Sequence, residues 1–188
     1  MDINQLIARR VQALRGARGL SLAALAERSG VSRSNISLIE RGESSATATV
    51  LDKLAGALGV TLASLFEAES EAQSPLSLRD QQPVWTDPAS GYTRRQLSPG
   101  LRSPMQLVEV EFPPGRRVAY DHTQNDADIY QQLWLLEGTI NVTAGEQRWQ
   151  LQPGDCLAFR EGPNISYENP GEQPARYLVS LVTLPFAL

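Results

Sequence analysis

Residues 21–43, SLAALAERSGVSRSNISLIERGE, contain two short helical segments with a turn between them. Ser21 and Ser32 each stand directly before a segment with helical periodicity, where a serine oxygen can accept a hydrogen bond from a free amide of the first turn. Gly30 and Gly42 end the two segments, as glycine commonly does at helix C-termini. Helices of about eight residues are not stable alone, so this pair must pack against further helices.

The sequence on both sides of this pair provides those helices. Apolar residues recur at intervals of three and four from residue 3 to residue 66, which is the period of amphipathic helices. We predict a first helix over residues 3–18 and, after the pair, two more in TVLDKLAGALG and TLASLFE. The N-terminal region is therefore predicted to form five helices.

The pattern changes beyond Trp85. Short alternating or apolar runs, among them MQLVEVEF, QQLWLLEG and ARYLVSLVTL, are separated by proline and glycine turns, as is typical of β-strands. The intervening residues 69–83 are polar without a sustained period, which predicts a linker. We therefore predict an α+β protein in two domains, helical over residues 1–68 and all-β over residues 84–188, with the linker as the only joint.

Composition limits the class of protein. Of 188 residues, 41% are hydrophobic and 20% charged, which is ordinary for a globular chain. A single cysteine, Cys156, excludes an intramolecular disulfide, and the N-terminus lacks an apolar run, so we expect a cytoplasmic protein without a membrane segment. The first 68 residues carry eight Lys or Arg and six Asp or Glu, so they are net positive in a chain whose overall charge is −4.

The segment at residues 21–43 closely resembles the helix-turn-helix of the phage-repressor (XRE) family. The matching positions are Leu22, Leu25, Ala26, the turn Gly30-Val31, Ile36, Ile39, Glu40 and Gly42. In that family the third helix lies in the major groove of DNA, with its N-terminal residues at base edges. The resemblance also implies a largely buried ion pair between Arg15 and Glu40, with a structural role.

The third helix offers one face to DNA. Ile36 and Ile39 share a face that must point inward, which leaves the opposite face for base reading by Arg33, Ser34, Ser37 and Leu38. Arginine can pair with guanine, serine can donate or accept, and leucine can contact a thymine methyl group. Phosphate contacts are predicted for residues near helix N-termini: Ser21, Ser32, Asn35 and Arg41. The alternative is that the serines are only caps and the arginines only solvated.

Residues 105–184 resemble the cupin fold, a double-stranded β-helix barrel. The second cupin motif fits without a gap when its positions are assigned, in order, to Gly154, Arg160 in place of proline, Gly162, Ile165 in place of histidine, and Asn169. In the first motif Gln131 takes the glutamate position and Gly138 the final glycine, while Asp121 and Thr123 take the histidine positions, with His122 between them.

These replacements bear on metal binding. Ile165 cannot ligate a metal and Gln131 is a poor substitute for a carboxylate, so we predict no metal and no cofactor. The alternative is a new site formed by Asp121, His122, Asp126 and Asp128. Because cupin interiors are concave and mostly apolar, we instead predict a small-molecule pocket near Asp121, His122, Gln131, Ile165 and Tyr167. A barrel that only dimerises is the alternative to this pocket.

A chain with both resemblances looks like a one-component transcriptional regulator. Such a protein would bind a palindromic operator on double-stranded DNA as a homodimer, more often as a repressor, and its metal-free barrel would sense a small-molecule effector. We expect no enzymatic activity. Two alternatives remain: a cupin enzyme, dioxygenase or isomerase, with a DNA-binding appendage, and a constitutive dimeric repressor without a ligand.

Overall fold

The computed structural model describes residues 2–67, 74–101, 103–121, 128–162 and 164–184, in a helical region followed by a β-rich region. Within these ranges no helix is both long and apolar enough to span a bilayer. The helices are α1 (Ile3–Ala17), α2 (Leu22–Ser29), α3 (Arg33–Glu40) and α4 (Ala48–Ala57). The strands are β1 (Val84–Thr86), β2 (Thr93–Gln96), β3 (Met105–Phe112), β4 (Arg117–Tyr120), β5 (Asp128–Glu137), β6 (Ile140–Ala144), β7 (Gln147–Leu151), β8 (Cys156–Arg160), β9 (Ile165–Glu168) and β10 (Ala175–Leu184).

The predicted fifth helix is a correction to the sequence analysis. The segment Leu62–Phe66 forms a 3-10 helix, so the described helical region has four α-helices rather than five. Thr61 caps this turn through a hydrogen bond of 3.1 Å from the amide of Ser64 to its Oγ1. Only five residues separate that cap from Glu67, where the backbone is already extended, and so short a segment favours the tighter helix.

The helix-turn-helix pair forms where the sequence predicted it. Ser21 Oγ accepts from the amide of Ala24 at 3.1 Å, and Ser32 Oγ accepts from the amide of Asn35 at 3.3 Å, so both serines are N-caps. Gly30 ends α2 in the left-handed conformation, with φ 67°, which glycine adopts without strain. The predicted positions of the caps are confirmed.

Helices α1 and α3 are joined by the predicted ion pair. Arg15 Nε lies 2.6 Å from Glu40 Oε1 and its second terminal nitrogen lies 2.8 Å from Oε2, so the pair is bidentate. The remaining terminal nitrogen of Arg15 donates to the carbonyl of Leu20 at 2.8 Å. The Glu40 side chain is 7% exposed and that of Arg15 is 19% exposed. The prediction of a largely buried structural pair is confirmed.

The β-rich region is built from two antiparallel sheets. The larger has the strand order β1-β2-β3-β10-β5-β8, and the smaller has the order β4-β9-β6-β7. Their buried faces contribute Val108, Phe112, Leu133, Val142 and Tyr177, among others, to a common core. Strand β8 is an edge strand, and it carries the exposed Cys156.

Two motif residues have structural roles in the turns of this barrel. Gly138 has φ +78°, and a Cβ there would lie 2.5 Å from the carbonyl oxygen of Pro174, so this turn requires glycine. Asn169 is fully buried, and its Nδ2 donates to the carbonyls of Phe112 at 3.0 Å and Gln173 at 2.8 Å. The cupin turn framework is thus held by local packing and hydrogen bonding.

The helical and β-rich regions pack directly against each other. The rings of Phe66 and Trp85 lie 5.4 Å apart between centroids, and both side chains are buried. Asp87, in the turn after β1, accepts a hydrogen bond of 2.9 Å from the amide of Ala48 at the start of α4, where a negative charge is favoured by the helix dipole.

A polar cluster extends this contact. The amide of Gln106 on β3 donates to Glu67 Oε1, and its Oε1 accepts from Thr61 Oγ1 at 2.8 Å. Arg10 of α1 reaches Glu67 Oε2 at 3.2 Å. The expectation that the linker is the only joint between the two regions is therefore wrong, because buried aromatic and polar contacts join them as well.

Candidate DNA-binding surface and ligand cavity

Helix α3 presents the face that the sequence predicted for base contacts. Ile36 and Ile39 are buried beneath it, whereas Arg33 and Ser34 are exposed and Leu38 is 38% exposed. An exposed leucine between polar residues suits contact with a thymine methyl group, and an exposed arginine at the helix start can reach a base edge. The assignment of these residues to base contacts stays a prediction.

Ser37 and Arg41 are linked on the exposed surface at the end of α3. One terminal nitrogen of Arg41 donates to Ser37 Oγ at 2.5 Å, and the other lies 2.8 Å from Glu43 Oε2. The hydrogen bond from Arg41 lowers the pKa of the Glu43 carboxyl. A phosphate that binds Arg41 must therefore compete with the Glu43 carboxylate.

The remaining predicted phosphate contacts lie at the N-termini of α2 and α3. Ser21 and Ser32 are exposed, and each Oγ accepts a backbone hydrogen bond as a cap. A serine that accepts in this way still has its own hydroxyl hydrogen to donate to a phosphate. Ser32 Oγ also lies 3.2 Å from Ser34 Oγ, and Asn35 is half-buried.

A cavity of about 80 Å³ lies where α4 and the following turn meet the open end of the barrel. The helical region contributes one polar residue to the wall, Asp52, and apolar neighbours around it. These helical residues are Asp52, Gly56, Val60, Leu62 and Ala63. Because the other wall residues come from seven different strands or strand ends of the barrel, the cavity belongs to both regions.

A directed chain of hydrogen bonds crosses the barrel side of the cavity. The hydroxyl of Tyr167 on β9 donates to Gln131 Oε1 at 3.1 Å, and Gln131 Nε2 in turn donates to Glu161 Oε1. Glu161 follows β8, and all three side chains line the cavity. Each donor in the chain points toward Glu161, which ends the chain as an acceptor.

The opposite wall contains the only guanidinium among the lining residues. Arg94 of β2 is 8% exposed and lies over the ring of Phe66, 4.6 Å from the ring centroid, in cation–π contact. The hydroxyl groups of Tyr92 and Tyr120 are hydrogen-bonded at 2.9 Å beside it. The aromatic contact ties the cavity wall to the helical region.

Burial controls the acid–base properties of the two carboxyl groups. The pKa of Asp52 is raised to about 8, first by burial and then by the charges of Glu161 and Asp121, while Arg94 and Lys53 oppose them. Burial also raises the pKa of Glu161 to about 7, against the hydrogen bond from Gln131 and the charge of Arg94. Both groups therefore exchange protons near neutral pH, which is unusual for carboxylic acids.

Some of the predicted pocket residues line the cavity and others lie elsewhere. Gln131 and Tyr167 line the cavity, as expected. Ile165 is buried in the core but is not a wall residue, and Asp121 is exposed outside the cavity, although its charge reaches Asp52. Ile165 and Asp121 are therefore not wall residues of this cavity, and the assignment of ligand-binding residues stays a prediction. His122 lies outside the described residues.

The alternative metal site also falls partly outside the described residues. His122 and Asp126 belong to that part of the chain, and of Asp128 only the backbone is described, at the start of β5. Among the residues that the structure does describe, no three His, Cys, Asp or Glu side chains lie close enough together to hold a metal ion.

The sequence analysis missed three charged wall residues, Asp52, Arg94 and Glu161. A signal exists for two of them. Leu157 and Phe159 of β8 point inward, so strand alternation also directs Glu161 inward, and the same alternation from Tyr92 directs Arg94 inward. Asp52 lies beside the buried Leu51 on α4, and only the position of the barrel shows that it faces a cavity.

Comparison with known proteins connects both sites to characterised families. A helix-turn-helix family model (HTH_3) matches residues 11–65, and a cupin domain model (Cupin_2) matches residues 108–181. The chain is 21% identical over 192 residues to the HTH-type transcriptional regulator SutR of Escherichia coli, with 94% of each chain covered. It is 25% identical to an HTH_3 family transcriptional regulator of Vibrio cholerae, whose crystal structure superposes with a TM-score of 0.77 over 96% of each chain. The predicted family resemblance and the order of the two domains are confirmed.

Proposed function

We propose that this chain, which matches a helix-turn-helix family model and a cupin domain model in that order, is a one-component transcriptional regulator. In this proposal a homodimer binds a palindromic operator through α3, acts in the cytoplasm as a repressor, and changes its DNA affinity when a small molecule fills the cavity. We keep residues 1–68 as the DNA-binding domain, 69–83 as the linker and 84–188 as the sensor domain.

The shared cavity is the observation that carries the sensing part of the proposal. A ligand can shift an equilibrium only by binding its two states differently. Here a ligand would contact α4 of the helical region and the barrel at once, since Asp52 and Glu161 line the same cavity. Any change in how α4 sits on the barrel alters these contacts. Ligand binding and the position of the helical region are therefore linked.

The outer face of the larger sheet supports the proposed homodimer. Five large apolar side chains are exposed in the described strands, Val84 at the edge strand β1 and Met105, Tyr130, Trp134 and Leu184 further along the larger sheet. Met105 and Tyr130 both pair with Val182 of β10, so they flank one position of the same face. Contiguous exposed apolar surface of this kind commonly marks a contact between proteins. We assign it to a second copy of this chain because a palindromic operator requires a twofold partner.

The enzyme alternative finds less support. Ile165 stands where the cupin motif has a histidine, and it is buried without being a wall residue of the cavity. Two relatives that match nearly the whole chain, SutR and the Vibrio cholerae protein, are transcriptional regulators by name. We therefore propose that the cavity binds its ligand without converting it.

Selection from a random DNA pool tests the DNA-binding part directly. The purified chain should enrich a palindrome whose half-sites are about 10 base pairs apart, centre to centre. Fluorescence anisotropy on the selected duplex then measures affinity, with a scrambled duplex of equal length as control. Failure to enrich any sequence, from protein that is folded by circular dichroism, contradicts the proposal.

The dimer and the sensing step need separate measurements. Sedimentation should give twice the mass of the chain, and Trp134→Glu should give the monomer mass with weaker operator binding. Small molecules that co-purify with the protein should be recovered unchanged after incubation, and adding them should change operator affinity. Product formation favours the enzyme alternative, and operator affinity that no such molecule alters favours a constitutive repressor.

A further inference from the structure

Arg94 is a buried cation whose hydrogen-bond donors find no acceptor in the described part of the chain. It is the only lysine or arginine among the buried polar residues there, with 8% of its surface exposed. Among the described residues it makes a cation–π contact with Phe66 but no hydrogen bond and no ion pair. The ring of Phe66 supplies no oxygen acceptor to the guanidinium. Burying N–H donors without acceptors is unfavourable, so Arg94 favours a ligand that provides them.

The position of Arg94 makes its guanidinium accessible to such a ligand. Arg94 lines the cavity, whereas Phe66 does not, so the aromatic contact leaves the guanidinium at the cavity wall. A carboxylate has two oxygens whose spacing matches the fork of N–H donors on a guanidinium, and the resulting hydrogen bonds are strengthened by charge. A carboxylate is therefore the group that best satisfies this buried side chain.

The two carboxyl groups of the wall do not oppose an anion below neutral pH. Burial is the main cause that raises the pKa of Asp52 to about 8 and the pKa of Glu161 to about 7. Both groups are therefore mostly protonated and uncharged at pH 6, where an aliphatic carboxylic acid in water is still ionised. The other described residues whose charges act on these two groups are Arg94, Asp121 and Lys53.

The rest of the wall limits the size and shape of the ligand. The cavity volume is about 80 Å³. A water molecule occupies roughly 30 Å³ in the liquid, so the cavity admits only a compact molecule. Val60, Leu62 and Leu181 provide apolar surface beside the charged group. A carboxylate with a short hydrocarbon chain matches both the size and the surface.

We propose that the cavity binds a small monocarboxylate, whose two oxygens accept hydrogen bonds from Arg94 and whose short hydrocarbon chain lies against the apolar wall. This inference rests on the proposed function, because it names the chemical class of the molecule sensed there. Arg94 belongs to the barrel, yet it contacts Phe66 of the helical region. A ligand that fixes the guanidinium thereby acts directly on the contact between the two regions.

Titration calorimetry on the intact chain at pH 6 tests the ligand class. Propanoate and propanamide have nearly the same shape, but only propanoate is charged, and inorganic phosphate is an anion without a hydrocarbon chain. Propanoate should bind in the millimolar range or tighter and exceed the other two by about tenfold or more, which corresponds to about 1.4 kcal/mol. Equal affinities, a preference for phosphate, or no propanoate binding in that range overturns the inference.

Substitutions of Arg94 locate the binding site. Arg94→Gln should reduce the preference for propanoate over propanamide to about twofold or less, because it removes the charge and the fork of donors. The affinity for propanamide should not change, whereas a general loss of structure would weaken both probes. Arg94→Lys keeps the charge on a single ammonium group and should retain a reduced preference. Arg117→Gln, the control, removes an exposed guanidinium of β4 outside the cavity and should change neither affinity.

Thermal unfolding checks that the three variants fold. An undiminished preference for propanoate in folded Arg94→Gln protein overturns the assignment. If that variant does not fold, Arg94→Lys decides the question in the same way, since an undiminished preference there shows that the guanidinium does not hold the carboxylate.

Operator binding separates this inference from the proposed function. If propanoate binds through Arg94 but leaves operator affinity unchanged, the ligand assignment stands and the sensing function fails. If the chain binds its operator but not propanoate, the ligand assignment fails and the DNA-binding function stands.

Discussion

The face of α3 and the cavity under α4 both collect polar side chains, but water surrounds the first and is largely excluded from the second. On α3, Arg33 and Ser34 are exposed. In the cavity, Asp52 is 6% exposed and its pKa is raised to about 8, first of all by burial. Polar and charged side chains therefore carry little desolvation penalty on the α3 surface, whereas in the cavity their desolvation penalty is large.

Because of this difference, we expect substitutions on the α3 surface and in the cavity to affect different properties of the protein. An exposed residue on α3 can be changed with little effect on folding, because its polar groups are already hydrated in the absence of DNA. A residue in the cavity contributes to folding, to proton binding and to ligand binding at once. The following four predictions test that separation, in order of decreasing size.

The first prediction compares a buried and an exposed glutamate at the end of α3. Glu40 belongs to the last turn of that helix, yet it is buried in the pair with Arg15. Glu40→Ala should lower the free energy of unfolding by about 2–4 kcal/mol, somewhat less than for a fully buried pair, since Arg15 keeps some contact with water. Urea denaturation measures this loss. Glu43→Ala, which removes the exposed partner of Arg41, is the control and should leave stability within experimental error.

The second prediction concerns pH. Unfolded Asp52 ionises near pH 4, whereas the folded group keeps its proton up to about pH 8. Between these values the folded state binds more protons, so the free energy of unfolding falls as pH rises. Besides Glu161 and Asp121, which raise this pKa, Arg94 and Lys53 lower it. Asp52→Asn removes the Asp52 contribution.

The measurement compares wild-type and Asp52→Asn protein by denaturation at pH 5 and pH 7. Wild-type protein should lose about 2–3 kcal/mol more than the variant over this interval, at roughly 1.4 kcal/mol per pH unit. Parallel losses in the two proteins would mean that Asp52 titrates normally and that the cavity is wet.

The third prediction concerns base reading. Arg33→Ala should weaken operator binding by about 1–3 kcal/mol and relax base preference at one position in each half-site. Stability should not change, because Arg33 is exposed. Arg41→Ala is the matched variant, and it should weaken operator and scrambled DNA alike. Specific binding that survives Arg33→Ala shows that another residue reads that base.

The fourth and smallest effect is expected inside the cavity. Tyr167→Phe removes only the hydroxyl that donates to Gln131 at 3.1 Å. The loss of one hydrogen bond, with Gln131 still bonded to Glu161, should lower the free energy of unfolding by about 1 kcal/mol. Operator binding without ligand should be unchanged. A large loss of operator affinity in this variant would mean that the cavity and the exposed face of α3 are energetically coupled even without a ligand.

The sequence predicted the α3 surface well because everything needed lies within one short segment. Ser32 caps the helix, Ile36 and Ile39 set its buried face, and the exposed residues follow from helical periodicity. The failure of the fifth helix has an equally local cause, since apolar spacing in a five-residue segment does not distinguish a 3-10 helix from an α-helix.

The cavity could not be predicted in the same way. Asp52, Arg94 and Glu161 are far apart in the chain, and they meet only because α4 packs over the open end of the barrel. That packing depends on contacts such as Asp87 with the start of α4 and Phe66 with Trp85. Local sequence patterns do not predict contacts between residues so far apart in the chain. Gln131 and Tyr167 were found because they lie on strands within the cupin motif itself.

The contact between α4 and the turn that contains Asp87 restricts how this protein can be re-engineered. Designers often treat regulators as interchangeable modules, joining the DNA reader of one to the sensor of another. A chimera that keeps this barrel but takes its helices from elsewhere would lose Asp52 from the cavity and the amide that Asp87 binds. The boundary for a working graft therefore lies within the reader, after α3, so that α4 and Leu62–Phe66 travel with the sensor.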